Sequence, residues 1–153
     1  MLKIEQVLCN EKGENILNDF FDSISFRYNY IIVKKNRLFG LYDSLNYNKI
    51  LECEWEKLVF EGDYIVAYKD KICGVYHKSG KQVLESIWDK IVLYPYGILA
   101  TKNGLQGFYN FDGAPILECT WRRIELVSNV LFAYKGNGAR AIIYDFQGHV
   151  LKD

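Results

Sequence analysis

The chain holds only two prolines and one methionine among 153 residues. No apolar run approaches the ~18 residues of a membrane span. No window keeps an apolar period of 3.6 residues, so little helix is expected. Neither sign of charge is in excess: 19 Lys and Arg balance 19 Asp and Glu. That balance leaves no global field to recruit nucleic acid or an anionic membrane, and neither is expected as a partner. The four cysteines (Cys9, Cys53, Cys73 and Cys119) lack Cys-x-x-Cys spacing, and His77 and His149 complete no ligand set. No metal or cofactor is expected, and the cysteines read as reduced, small apolar side chains. The first dozen residues contain no signal-peptide core, which leads to a cytoplasmic expectation.

What is present in quantity is aromatic: twelve Tyr, nine Phe and three Trp. Tyr and Phe favour strands. With 50% hydrophobic and 25% charged residues, the composition is that of a globular protein, and residues 1–153 are expected to form a single β-repeat domain. Trp55, Trp88 and Trp121 are each 33 residues apart, preceded by Ile50-Leu51-Glu52, Val83-Leu84-Glu85 and Ile116-Leu117-Glu118. Phe21 stands at the position before Trp55 in the series. A second marker keeps the same rhythm: Gly40-Leu41-Tyr42, Gly74-Val75-Tyr76, Gly107-Phe108-Tyr109 and, without the glycine, Ile142-Ile143-Tyr144. Turn glycines recur at Gly13, Gly80, Gly113 and Gly148, with Asn46-Tyr47-Asn48 in the remaining unit. Polar turns such as Asp70-Lys71 and Asn103-Gly104 separate β-rich runs, and Asn-Gly is a strong hairpin signal. Apolar runs, Lys57–Phe60 and Lys90–Leu93, read as links to the next unit.

These features predict an all-β chain of about 4.6 tandem units of ~33 residues, antiparallel hairpins or meanders that must stack to bury their faces. The expected form is a short twisted solenoid, with a closed barrel or partial propeller as the alternative. The unit resembles the WG β-repeat, the Trp-Gly repeat of bacterial proteins, on Gly74-Val75-Tyr76, Gly80-Lys81-Gln82-Val83-Leu84 and Trp88-Asp89-Lys90-Ile91. The resemblance runs from about Val7 to Leu151. No Trp-Gly dipeptide survives, because Phe39, Cys73 and Gln106 precede the glycines, and Glu52, Glu85 and Glu118 stand where that repeat often has proline. The resemblance implies a bacterial or phage-related binding scaffold and carries over no catalytic residues.

Candidate chemistry is sparse. Gly136-Asn137-Gly138 reads as a hairpin turn, not a phosphate loop between strand and helix. Nothing in the sequence places a nucleophile beside His77 or His149. Glu52, Glu54 and Glu56 alternate with Cys53 and Trp55, so a strand would aim all three outward. They read either as a solvated rim that discourages edge pairing or as a docking patch for a basic partner. Arg122-Arg123 follows Trp121 where other units carry Glu56-Lys57 and Asp89-Lys90, a break in the repeat's own rule. Tyr28, Tyr47, Tyr94 and Tyr96 lie in variable segments, where Tyr gives contact area at low entropy cost. The expected function is a non-enzymatic protein-binding module, in its narrowest form an immunity protein or antitoxin that neutralises a basic toxin. A carbohydrate-binding or hydrolytic β-repeat is the alternative, and a purely structural repeat segment is a third reading.

Overall fold

The computed structural model describes residues 4–153. Residues 1–3, part of the stretch read for targeting, lie outside the described residues. The described residues form sixteen strands and no helix, so no helix is long and apolar enough to cross a membrane. The first sheet contains β1 (Ser23–Arg27), β2 (Tyr30–Lys35), β3 (Leu38–Asp43) and β4 (Lys49–Trp55). The second contains β5 (Lys57–Glu61), β6 (Tyr64–Lys69), β7 (Ile72–His77) and β8 (Gln82–Trp88). The third contains β9 (Lys90–Tyr94), β10 (Gly97–Lys102), β11 (Leu105–Tyr109) and β12 (Pro115–Trp121). The last contains β13 (Arg123–Val127), β14 (Val130–Tyr134), β15 (Ile142–Tyr144) and β16 (Val150–Lys152). Each sheet is a meander whose strands pair in chain order.

This corrects the expected stacked solenoid. Four separate four-stranded antiparallel sheets form, and β4 and β5, β8 and β9, and β12 and β13 follow one another in the chain yet belong to different sheets. The four-stranded meander is the kind of sheet that makes a β-propeller blade. The runs read as links, Lys57–Phe60 and Lys90–Leu93, are themselves the opening strands β5 and β9. The physical reason lies in the last strand of each sheet. Register slips between Phe39↔Trp55 and Leu41↔Leu51, and again between Gln106↔Trp121 and Phe108↔Leu117, put bulges at the β3–β4 and β11–β12 pairings. Exposed Glu52, Glu85 and Glu118 lie on these closing strands. Bulges and charges on an edge strand resist further pairing.

Hairpin turns follow local chemistry. Asn36-Arg37, Asp70-Lys71 and Asn103-Gly104 all have positive φ at both positions, as a type I′ turn requires. Each is tied to the acid that follows an edge aromatic. Asn36 N donates to Asp22 Oδ2 at 2.7 Å, Asp70 N to Glu56 Oε1 at 3.3 Å and Asn103 N to Asp89 Oδ2 at 2.7 Å. The β11–β12 turn is closed by an Asx contact, with Asn110 Oδ1 accepting from Asp112 N and Ala114 N.

Contacts divide the chain into two compact units. One runs through Asp70 and takes in Tyr76–Gln82; the other comprises Lys71–Val75 and Val83–Asp153. In the first, Phe21 meets Tyr42 at 6.1 Å and Trp55 meets Tyr76 at 5.5 Å between ring centroids. In the second, Trp88 meets Tyr109 at 5.2 Å and Trp121 meets Tyr144 at 5.7 Å. All four pairs are edge-to-face, the arrangement the ring quadrupole favours, worth about 0.5–1.5 kcal/mol beyond burial. The Trp markers of the repeat, with Tyr42 and Tyr109, are thus core residues, and Tyr76 and Tyr144 pack against the core half-buried. The glycine beside the Tyr is needed for close approach: a Cβ on Gly107 would sit 2.9 Å from Cys119 N.

Candidate functional site: an aromatic cavity at the Tyr28 turn

A cavity of about 480 Å³ lies within the first unit, lined by Tyr28, Asn29, Tyr30, Asp43, Leu45, Phe60, Gly62, Asp63 and Lys78. Two turn-and-loop pairs frame it. Ser44 N donates to Asn29 O at 2.9 Å, tying the β3–β4 loop to the β1–β2 turn. Lys78 N donates to Asp63 O at 2.8 Å, tying the β7–β8 loop to the β5–β6 turn in the same way. Tyr30 and Phe60 supply packed rings, 5.0 Å apart, and Tyr30 is buried in the adjoining core. Burial pushes the Tyr30 phenol pKa up.

The exposed part is apolar. Tyr28 is 78% exposed and Leu45 is 80% exposed. Arg27 bridges two rings, its guanidinium carbon 5.4 Å from the Tyr28 centroid and 5.7 Å from that of Phe60. Tyr28 has a φ of +53°, in the left-handed region. The matching turn of the second sheet places Gly62 there at +58°, and that of the last sheet places Ser128 at +53°. A bulky residue in this conformation is an outlier that the surrounding structure must hold in place.

The charged groups of the cavity, Asp43, Asp63 and Lys78, are engaged. Asp63 Oδ1 accepts from Lys78 Nζ at 2.8 Å, and the hydrogen bond to this ammonium holds the Asp63 carboxyl below its usual range. Asp43 Oδ1 accepts from Leu45 N and Asn46 N and so shapes the loop that presents Leu45.

The other sequence candidates are dispersed. Tyr47 is exposed, also at a left-handed φ (+61°), where sister turns use Gly80, Gly113 and Gly148. Tyr94 is half-buried against the core of the second unit, and Tyr96 stacks on Phe146 at 4.9 Å. Glu52, Glu54 and Glu56 are all exposed, as the alternation implied, and each has a partner within the chain. Glu52 pairs with Lys49 at 3.2 Å, Glu54 with Lys69 at 3.8 Å, and Glu56 accepts from the Asp70 amide. Arg122 and Arg123 line a separate cavity with Tyr134, Gly136, Asn137 and Gly138. Sequence reasoning missed Leu45, Asp43 and Lys78 as cavity residues; an apolar Leu45 amid the polar turn Ser44–Asn48 was the available signal. Among the described residues no group of three or more His, Cys, Asp or Glu could hold a metal ion.

No family model and no curated protein matches this chain. Among solved structures it is similar to Hsv2 of Kluyveromyces lactis, a β-propeller. A form with loop 6CD replaced by a Gly-Ser linker matches with TM-score 0.43 and 13% identity, over 83% of this chain and 49% of that one. Hsv2p matches with TM-score 0.42 and 14% identity, over 85% of this chain and 49% of that one. The chain therefore spans about half the length of these solved structures.

Proposed function

We propose that this chain is a non-enzymatic protein-binding module whose contact face is the Tyr28 cavity. The carrying observation is the conformation of Tyr28: left-handed, where a sister turn has glycine, yet exposed. Such a residue costs on the order of 1 kcal/mol relative to glycine. No core burial of its own ring offsets that cost, since 78% of the residue meets solvent. A partner's apolar side chain packed between Tyr28, Leu45 and Phe60 would offset it. Rigid aromatic anchors over a pocket are typical of interface hot spots. The hydrolytic alternative needs a carboxyl pushed up to act as an acid, whereas Asp63 is pushed down.

The bacterial Trp-Gly repeat relationship and an immunity or antitoxin role belong to this proposal as its narrower forms. The aromatic face, not the glutamate series, is then the surface that meets the toxin, because the glutamates already have partners. Affinity co-purification from the native host tests the reading, with wild type, Tyr28→Gly, and a Glu52/Glu54/Glu56 charge-reversed form. One stoichiometric partner, lost with Tyr28→Gly and kept on charge reversal, is expected. A partner indifferent to Tyr28→Gly, or no partner at all, would overturn it. Relief of that partner's toxicity on co-expression tests the narrower role.

A further inference from the structure

The acid after each edge aromatic does two things. Its amide donates to the second strand of the following sheet, as Asp89 N does to Thr101 O at 2.9 Å, and its carboxylate accepts the first amide of the next turn. In the last sheet Arg122 keeps the first contact, its amide donating to Tyr134 O at 2.9 Å. It cannot make the second, since a guanidinium has no acceptor. The turn it would cap is replaced by residues 135–141, which include Gly136 and Gly138, the latter at φ +74°. At the point where three sheets hold an internal carboxylate, the last one holds a cation and an opened loop.

The surroundings are suited to an anion from outside. The cavity is about 370 Å³, and no acidic residue lines it. Among the described residues no carboxylate pairs with Arg122. Arg123 is held from its own strand, with Nε 3.2 Å from Glu125 Oε1, while Glu125 Oε2 accepts from Tyr134 Oη at 3.3 Å. That pair engages the inner nitrogen of Arg123 and leaves its terminal fork for a second anion. Residues 121–141 carry four basic side chains (Arg122, Arg123, Lys135 and Arg140) against Glu125 alone, a local charge of +3 in a chain of zero net charge.

We propose that this cavity binds the phosphoryl group of a phosphate monoester, whose oxygens take the place of the missing carboxylate. Arginine forks and amides of a glycine-containing loop are the donors such a dianion needs. A nucleic-acid backbone fits less well. The Arg123 guanidinium carbon lies 4.2 Å from the Tyr134 centroid, so that ring face is taken and not offered to a base.

The test titrates the full chain with phenyl phosphate, a phosphoserine peptide and dimethyl phosphate, following the amide resonances of Gly136, Asn137 and Gly138. Saturable shifts with a monoester are expected, reduced about ten- to hundredfold in affinity by Arg122→Ala. Arg122→Asp, which restores the acid of the sister sheets, is expected to abolish them while the chain stays folded by chemical denaturation. Tighter binding of the peptide than of phenyl phosphate identifies a phosphorylated protein as the source, and the reverse identifies a small metabolite. No saturable shift, unchanged binding by Arg122→Asp, or equal binding of dimethyl phosphate would each overturn the proposal. The site shares no lining residue with the Tyr28 cavity, so Tyr28→Gly is expected to leave this titration unchanged.

Discussion

The third sheet, β9–β12, and the last, β13–β16, begin alike and end differently. In both, the first two strands pair over five residues around a two-residue turn, from Tyr94↔Gly97 and from Val127↔Val130. The next pairing also runs over five residues in the third sheet, from Ile98↔Tyr109 to Lys102↔Leu105, but over three in the last, from Leu131↔Tyr144 to Ala133↔Ile142. The closing strand shrinks from the seven residues of β12 to the three exposed residues of β16. Fully buried Phe108 has a half-buried counterpart in Ile143. The opening hairpin is held by local pairing and core contact, so it tolerates little change. The outer half is held less firmly, and there the repeat exchanges an acid for Arg122 and a tight turn for a loop.

The largest expected effect tests that gradient. Phe108→Ala should cost about 3–5 kcal/mol by chemical denaturation, and Ile143→Ala less than about 2 kcal/mol because its site is half open. Equal costs would erase the distinction between the two sheets. Next is the marker glycine. Gly107→Ala should cost about 1–3 kcal/mol, because its Cβ meets the backbone of Cys119, whereas the last sheet already carries Ile142 there. A thermal melt unchanged by Gly107→Ala would show that β12 moves aside freely. Asp89→Ala should cost about 1 kcal/mol by removing the acceptor of the Asn103 amide. Arg122→Ala, at the matching position, should stay within about 0.5 kcal/mol, as exposed side chains without a structural contact do.

The smallest effect is a pH dependence. Asn110 closes the β11–β12 turn, and Asp145 does the same in the last sheet, accepting from Gln147 N at 2.9 Å and His149 N at 2.8 Å. The His149 backbone N–H holds the Asp145 carboxyl below the ordinary value of 3.8. A depressed folded value means the contribution is fully present above that pH and fades as pH falls through the lowered one. Asp145→Asn should therefore flatten stability below about pH 4, while nothing at Asn110 titrates. An unchanged acid profile would remove the Asp145 turn from the acid response.

Much of the strand pattern was legible because each signal was local. Asn103-Gly104 marked its hairpin through the positive φ both positions require. The 33-residue spacing of Trp55, Trp88 and Trp121 marked the repeat because one large ring per unit must be buried. The role of Lys57–Phe60 and Lys90–Leu93 was not legible, since a short apolar run before a turn reads equally as link or strand. Tyr28 was singled out from its variable segment, but Asp43 at the end of β3, Leu45 and Lys78 line the same cavity from positions distant in sequence. The glutamates of β4 were correctly aimed outward by alternation, yet the cation on Glu54, Lys69, comes from a strand of another sheet.

The sequence by itself determined the all-β class, the unit length, the turn sites and the aromatic core markers, because each rests on residues within one unit. Only the tertiary structure decided that the units close into four separate sheets, that Tyr28 stands exposed in a conformation its sister gives to glycine, and that Arg122 and Arg123 line a cavity with no acidic residue. Those outcomes depend on edge bulges, on contacts between loops tens of residues apart and on charges brought together by pairing, none of which a linear spacing encodes.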